Sequence, residues 1–134
     1  MNIVVIAPHN DDEILGVGGT MAKMVKQGHN VIVCEVTAGD LDNEMVQLQK
    51  REAITSHELI GVNTHFMDLP VVGLKEMKTT ELNAAFRKHL LELQPDIVFI
   101  PHKTYPNSLK GDEQRTNEAL EKWLWDDFRK RRNE

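Results

Sequence analysis

The chain predicts an α/β fold in which a mostly parallel sheet is covered by helices on both faces. Two observations carry this. Short runs rich in Val and Ile alternate with longer stretches of helical period, and no hairpin signal joins one apolar run to the next. Strand and helix in alternation require parallel pairing through right-handed crossovers, which places helices on either side of the sheet. With 134 residues and 40% hydrophobic content, one core is well supplied, whereas two domains would each be unusually small. A single domain over residues 1–134 is therefore expected.

The elements follow in order. Strands are expected at Ile3 to Ala7, Val31 to Thr37, His65 to Leu69 and Ile97 to Pro101, each a short apolar run. Between them, Glu13 to Gln27 carries Ile14, Leu15, Val17, Met21, Met24 and Val25 at helical spacing, with Gly28 as its stop. A second helix is expected from about Asn43 to Ile60, ending at Gly61, and a third from Thr79 to Leu93, closed by Pro95. A last helix should span about Asp112 to Arg131.

Composition excludes several function classes. The net charge of −5 is spread along the chain, and the one basic cluster, "RKRR" at 129–132, lies beside Asp126 and Asp127. No basic face of the kind that binds nucleic acid is visible. "MNIVVIAP" lacks the form of a signal segment, and no apolar run approaches the roughly 20 residues that span a bilayer. A soluble, cytoplasmic protein is expected. Cys34 is the single cysteine, so a disulfide within the chain and a thiolate metal cage are both excluded; in "VIVCEV" it reads as a core residue.

In an open parallel sheet, ligands bind beyond the carboxyl ends of the strands. Three polar clusters fall there: His9 to Glu13, Thr37 to Asp42, and His102 to Glu113. The first lies in "IAPHNDDEILGVGG". Asn10 with Glu13 makes a capping box, and acids suit a helix first turn. That leaves His9 and the second adjacent acid unexplained. The sharper reading is a metal site in which His9 and Asp12 lie on one side of the turn and Asp11 points elsewhere, since imidazole plus carboxylate suits zinc or a related ion. The glycines at 16–19 do not form a phosphate loop, because the acids precede them, and are expected to let the first helix lie close to the sheet. A receiver-type signalling domain is a rival, with an acid pair after the first strand, Asp68 after the third and Lys103 after the fourth; it leaves His9 idle.

The segments "APHNDDEILGVGGTMAKMVKQGHNVIVCEVTAGD", "KREAITSHELIGV", "FMDLPVVGL" and "LQPDIVFIPH", in that order, resemble the LmbE/PIG-L family of metal-dependent N-deacetylases, whose first motif reads Ala-His-Pro-Asp-Asp-Glu. The likeness runs from Ile3 to about Leu120. It implies a Rossmann-like three-layer sandwich and a hydrolase that uses metal-activated water to remove the acetyl group from an N-acetylglucosamine-type sugar or conjugate. Such an enzyme is an amide hydrolase acting on carbon–nitrogen bonds other than peptide bonds. By matching position, His9 and Asp12 look like metal ligands and Asp11 like the general base. Arg51 resembles a family arginine that contacts substrate, and equally fits an ordinary helix-face charge beside Glu52. Zinc is the metal the family implies.

The family's second motif, His-x-Asp-His, aligns with "KGDEQ", placing Lys110 at the first histidine, Asp112 at the aspartate and Glu113 at the ligand histidine. Asn10 likewise replaces the proline of the first motif. With His9, Asp12 and Glu113 around a divalent ion the formal charge is 2 − 1 − 1 = 0 rather than +1, which favours manganese or magnesium and activates water less. Lys110 titrates too high to donate a proton readily, yet its charge suits an oxyanion. His102 is another source of the third ligand, and Asp112 with Glu113 also fits an acidic helix start. Asp40 reads as pocket rim or plain loop. His29, His57, His65 and His89 lie away from this edge and are assigned surface or packing roles. The chain is short at its C-terminus for the family, so Trp123, Trp125 and Phe128 are expected to pack on the sheet or meet another subunit, making a homo-oligomer an expectation. The alternative function is a catalytically degenerate member that binds a sugar or metabolite.

Overall fold

A computed structural model describes residues 1–8, 12–37, 44–69 and 77–100. Seven elements alternate: β1 (Asn2–Ala7), α1 (Asp12–Lys26), β2 (Asn30–Thr37), α2 (Glu44–Leu59), β3 (Asn63–Leu69), α3 (Thr79–Leu93) and β4 (Ile97–Phe99). They agree with the expected elements to within two residues at nearly every end, β4 being shorter. The expected helix at 112–131 lies outside the described residues.

The strands form one parallel sheet in the order β3-β2-β1-β4. Pairing is continuous from Asn2↔Asn30 to Ala7↔Glu35, and Val5 pairs with Phe99 on the other side of β1. The β2–β3 ladder carries an irregularity between Glu35 and Thr37. This order overturns the receiver reading, whose flavodoxin-like sheet sets β3 beside β1; here β2 lies between them, as in the Rossmann arrangement.

Alternation along the strands divides the core in two. Ile3, Val5, Ala7, Val31 and Val33 face α1, where Met21 is fully buried, and the α2 exit at Val62. Val4, Ile6, Cys34, Val36 and Met67 face α3 through Leu82, Phe86 and Leu90. Helices thus cover both faces, and the near-continuous apolar run of β1 follows from burial on both sides.

Both predicted glycine stops hold, for the same reason. Gly28 (φ +88°) and Gly61 (φ +78°) take the left-handed conformation that lets the chain turn back on the helix end. The amides of Gly28 and His29 donate to Val25 and Met24, and those of Gly61 and Val62 to Glu58 and His57, which is the paired C-terminal bonding of a Schellman motif. The glycine expectation for α1 is corrected at Gly19, which is exposed and faces open space; Met21 makes the sheet contact instead. Cys34 is buried as expected, and burial, reinforced by the Glu35 charge, pushes its thiol up to about 12.

Candidate functional site at the carboxyl edge of the sheet

The sheet order fixes where a ligand crevice can form. From β1 the chain crosses to β2 on one side, while β4 pairs with β1 on the other, so the strand order reverses between β1 and β4. The segments leaving β1 after Ala7 and β4 after Phe99 depart from the same edge, because both strands run parallel. The first carries His9 to Asp12, and the second leads to Lys110 and Glu113.

The exit from β1 is anchored. The Pro8 carbonyl accepts the Thr37 amide at 3.3 Å and the Thr37 hydroxyl at 2.5 Å, and Thr37 is buried at the last position of β2. Two donors on one carbonyl fix the residue just before His9. Four residues beyond Pro8, Asp12 opens α1, so a carboxylate-bearing residue stands at the positive end of a 15-residue helix.

Of the predicted site residues, Asp12 and Arg51 fall within the described residues; His9, Asp11, Lys110 and Glu113 lie outside them, as do Asp40, His102, Lys103 and Asp112. Arg51 is exposed in the middle of α2. Its neighbour Lys50 bonds Asp68 Oδ1 at 2.6 Å and lies 5.1 Å from the centre of the Phe66 ring. This level of α2 therefore sits beside the carboxyl end of β3. Asp68 itself has a left-handed backbone (φ 59°).

Two further clusters escaped the sequence reading. His57 is buried, its Nδ1 sharing a 2.6 Å hydrogen bond with the Thr64 hydroxyl and its Nε2 3.8 Å from the buried Glu35 carboxylate. That fits the packing role assigned to it. On the opposite face, His65 Nε2 and His89 Nδ1 are 2.8 Å apart, with Glu92 close by. The sequence signal was present: His65 is in phase with buried Met67 on β3, and His89 adjoins buried Leu90 on α3.

The arrangement defines a class: a Rossmann-like α/β domain whose β1 exit, at the carboxyl edge beside the point where the strand order reverses, leads into the charged motif of the sequence. The chain belongs to the PIG-L family, described as GlcNAc-PI de-N-acetylase, which it matches over residues 4–124. It is similar to N,N′-diacetylchitobiose deacetylase from Pyrococcus horikoshii, with 26% identity, TM-score 0.76, and 92% of this chain and 49% of that one covered. A deacetylase of the teicoplanin biosynthesis pathway is 17% identical, with TM-score 0.77 over 95% of this chain and 64% of that one, a likeness in fold alone. A putative glucosamine-6-phosphate deaminase-like protein of Bacteroides thetaiotaomicron is 30% identical over 93 residues, 67% of this chain and 12% of the relative. The chain thus spans about half the solved chitobiose deacetylase and a small part of that curated relative. Among the described residues, no helix is long and apolar enough to cross a membrane.

Proposed function

We propose that the protein is a metal-dependent hydrolase that removes the N-acetyl group from an N-acetylglucosamine-type sugar or conjugate. The observation that carries the reading is the family match over residues 4–124, which spans the sequence that follows β1 and the sequence that follows β4. The donor chemistry fits a divalent ion: His9 offers a neutral nitrogen, Asp12 a carboxylate, and the carbonyl preceding His9 is held by two bonds from Thr37. His9 and Asp12 would hold the ion, with Glu113 or His102 as third ligand. When bound, it supplies Lewis acidity and a more acidic water; zinc is the family's ion, and manganese or magnesium suits the set with Glu113.

The chain's own residues supply the remainder. Asp11 takes the proton of the attacking water, a proton passes to the departing nitrogen as the carbon–nitrogen bond breaks, and amide and water become acetate and amine. Lys110 stabilises the negative oxygen of the tetrahedral state by charge. Arg51 anchors a hydroxyl or anionic group of the sugar. A homo-oligomer in the cytoplasm is the working assembly and location of this proposal.

The test is acetate release from a panel of N-acetylglucosaminyl compounds, with zinc, manganese or magnesium added in turn and Asp11→Asn as control. Metal-dependent acetate that vanishes in the variant is expected. The replacement of both second-motif histidines favours one alternative, a member that binds such a sugar without turnover. Saturable sugar binding with no acetate under any metal would establish it and end the hydrolase reading.

A further inference from the structure

We propose that His65, His89 and Glu92 form a second divalent-metal site, for an ion of the zinc class, that fastens strand β3 to helix α3. The three residues come from two elements. His65 is in register with Cys34, whose side chain faces α3, so His65 shares that face. His89 and Glu92 are three apart on α3 and therefore lie on neighbouring positions of one helical stripe. Their ligand atoms all lie within 4.8 Å of one another.

The two imidazoles meet through nitrogen atoms rather than ring faces. His65 Nε2 and His89 Nδ1 are 2.8 Å apart, with ring centroids at 5.0 Å and planes at 70°. In the ion-free protein one ring N–H donates to the lone pair of the other. A tetrahedral zinc with Zn–N bonds of about 2.05 Å separates its nitrogens by about 3.3 Å. The rings need to part by about half an ångström, which small side-chain rotations provide. Both histidines are half-buried, and Glu92 is exposed at the mouth. Two neutral nitrogens and one carboxylate, with a fourth position open to water, form a ligand set that zinc commonly takes.

This site is separate from the candidate catalytic edge. None of its three residues belongs to the proposed catalytic set: His65 is level with Cys34 and, through it, with Ile6, two strands away from β1, and its side chain faces α3, which carries His89 and Glu92 near its end. Two strand spacings and one residue along the strand separate the His65 backbone from the exit of β1, on the order of 10 Å. The inference therefore stands whether or not the deacetylase reading does.

The experiment uses the untagged full chain carrying His9→Ala and Asp12→Asn, stripped with chelator and titrated with Co²⁺ and Zn²⁺ against a chromophoric chelator. One equivalent should remain bound, with a visible cobalt spectrum and a raised melting temperature. Adding His89→Gln should abolish all three, and Glu92→Gln should weaken binding at least tenfold. Because Glu92 is exposed, its substitution tests the site without disturbing the core. Should the background chain not fold, the same comparison in the wild-type chain reads at least a tenfold weakening of one bound equivalent on Glu92→Gln. Equal binding with and without Glu92→Gln, or no binding by the folded background chain, would reduce the cluster to a hydrogen-bonded histidine pair.

Discussion

Thr37→Val tests the anchoring of the proposed catalytic segment most directly. The substitution is nearly isosteric and suits a strand, so it removes the hydroxyl and little else. The lost bond is the one from Oγ1 to the Pro8 carbonyl at 2.5 Å, in a side chain only 2% exposed. The carbonyl keeps its second donor, the Thr37 amide at 3.3 Å, and is not orphaned. The net loss is then that of one ordinary hydrogen bond, about 1 kcal/mol, or about 3–5 °C in melting temperature for a chain of this size. Thr37→Ser supplies the control. It keeps the hydroxyl and removes one buried methyl, at about 0.8–1 kcal/mol, so the two variants should be similarly destabilised in urea. They should differ in function: Thr37→Val frees the residue before His9 and should slow acetate release several-fold, while Thr37→Ser should not. Equal turnover in both variants, or a Thr37→Val chain as stable as wild type, would refute the idea that this bond positions the motif.

Gly28→Ala meets only the left-handed backbone cost, about 1 kcal/mol, because its added methyl faces open space. Gly61→Ala adds a 2.8 Å approach to Val25 Cγ1, so it should cost clearly more by denaturant titration, and Val25→Ala should relieve the excess in a double-mutant cycle. The Cys34 thiol, buried and pushed up to about 12, should react with a thiol reagent at neutral pH only as fast as the chain unfolds; prompt stoichiometric labelling of the folded protein would contradict its burial. For His89 the folded-state pKa is lowered, by burial and then by His65 against the opposing Glu92 and Asp68 and alongside Lys88. The unfolded chain therefore binds more protons below the ordinary imidazole value of about 6.5, and stability present above that value should fall as pH drops toward the folded pKa. His89→Gln should flatten this slope in metal-free protein, and an unchanged slope would show that His89 is not its source.

The fold was legible because its signals are local. Val-rich runs gave β1 and β2, and Gly28 and Gly61 marked two helix ends to within one residue, since the bonds at each end involve neighbours only. The start of β3 was placed two residues late, because Asn63 and Thr64 are polar; Asn63 joins an amide ladder with Asn30 and Asn2, and Thr64 bonds His57. Such partners lie far along the chain. The edge where the strands begin is thus polar too: the asparagine ladder satisfies itself there, and the Asp96 carboxylate accepts from the Asn2 amide at 2.7 Å. Strand order was not legible, because alternating strands and helices fit either side for β3. The meeting of His65 and His89 was missed for the same reason, being 24 residues apart in sequence.

One fold carries many reactions, so under the proposed hydrolase reading the rate is set by particular residues and not by the sheet. The rate depends on two charges that depart from the family pattern. Glu113 in place of a neutral ligand removes one unit of positive charge from the proposed centre, and Lys110 in place of a histidine puts a unit back nearby. If the lysine faces the oxyanion, the two changes compensate where the negative charge develops, and turnover survives with a preference for harder ions. Glu113→His then shifts the preferred metal from manganese toward zinc, and Lys110→Gln removes activity with little change in sugar binding. If the lysine faces solvent, the centre is simply weaker, Lys110→Gln changes nothing, and the chain is a binder. The paired substitutions thus separate the two readings by kcat rather than by KM.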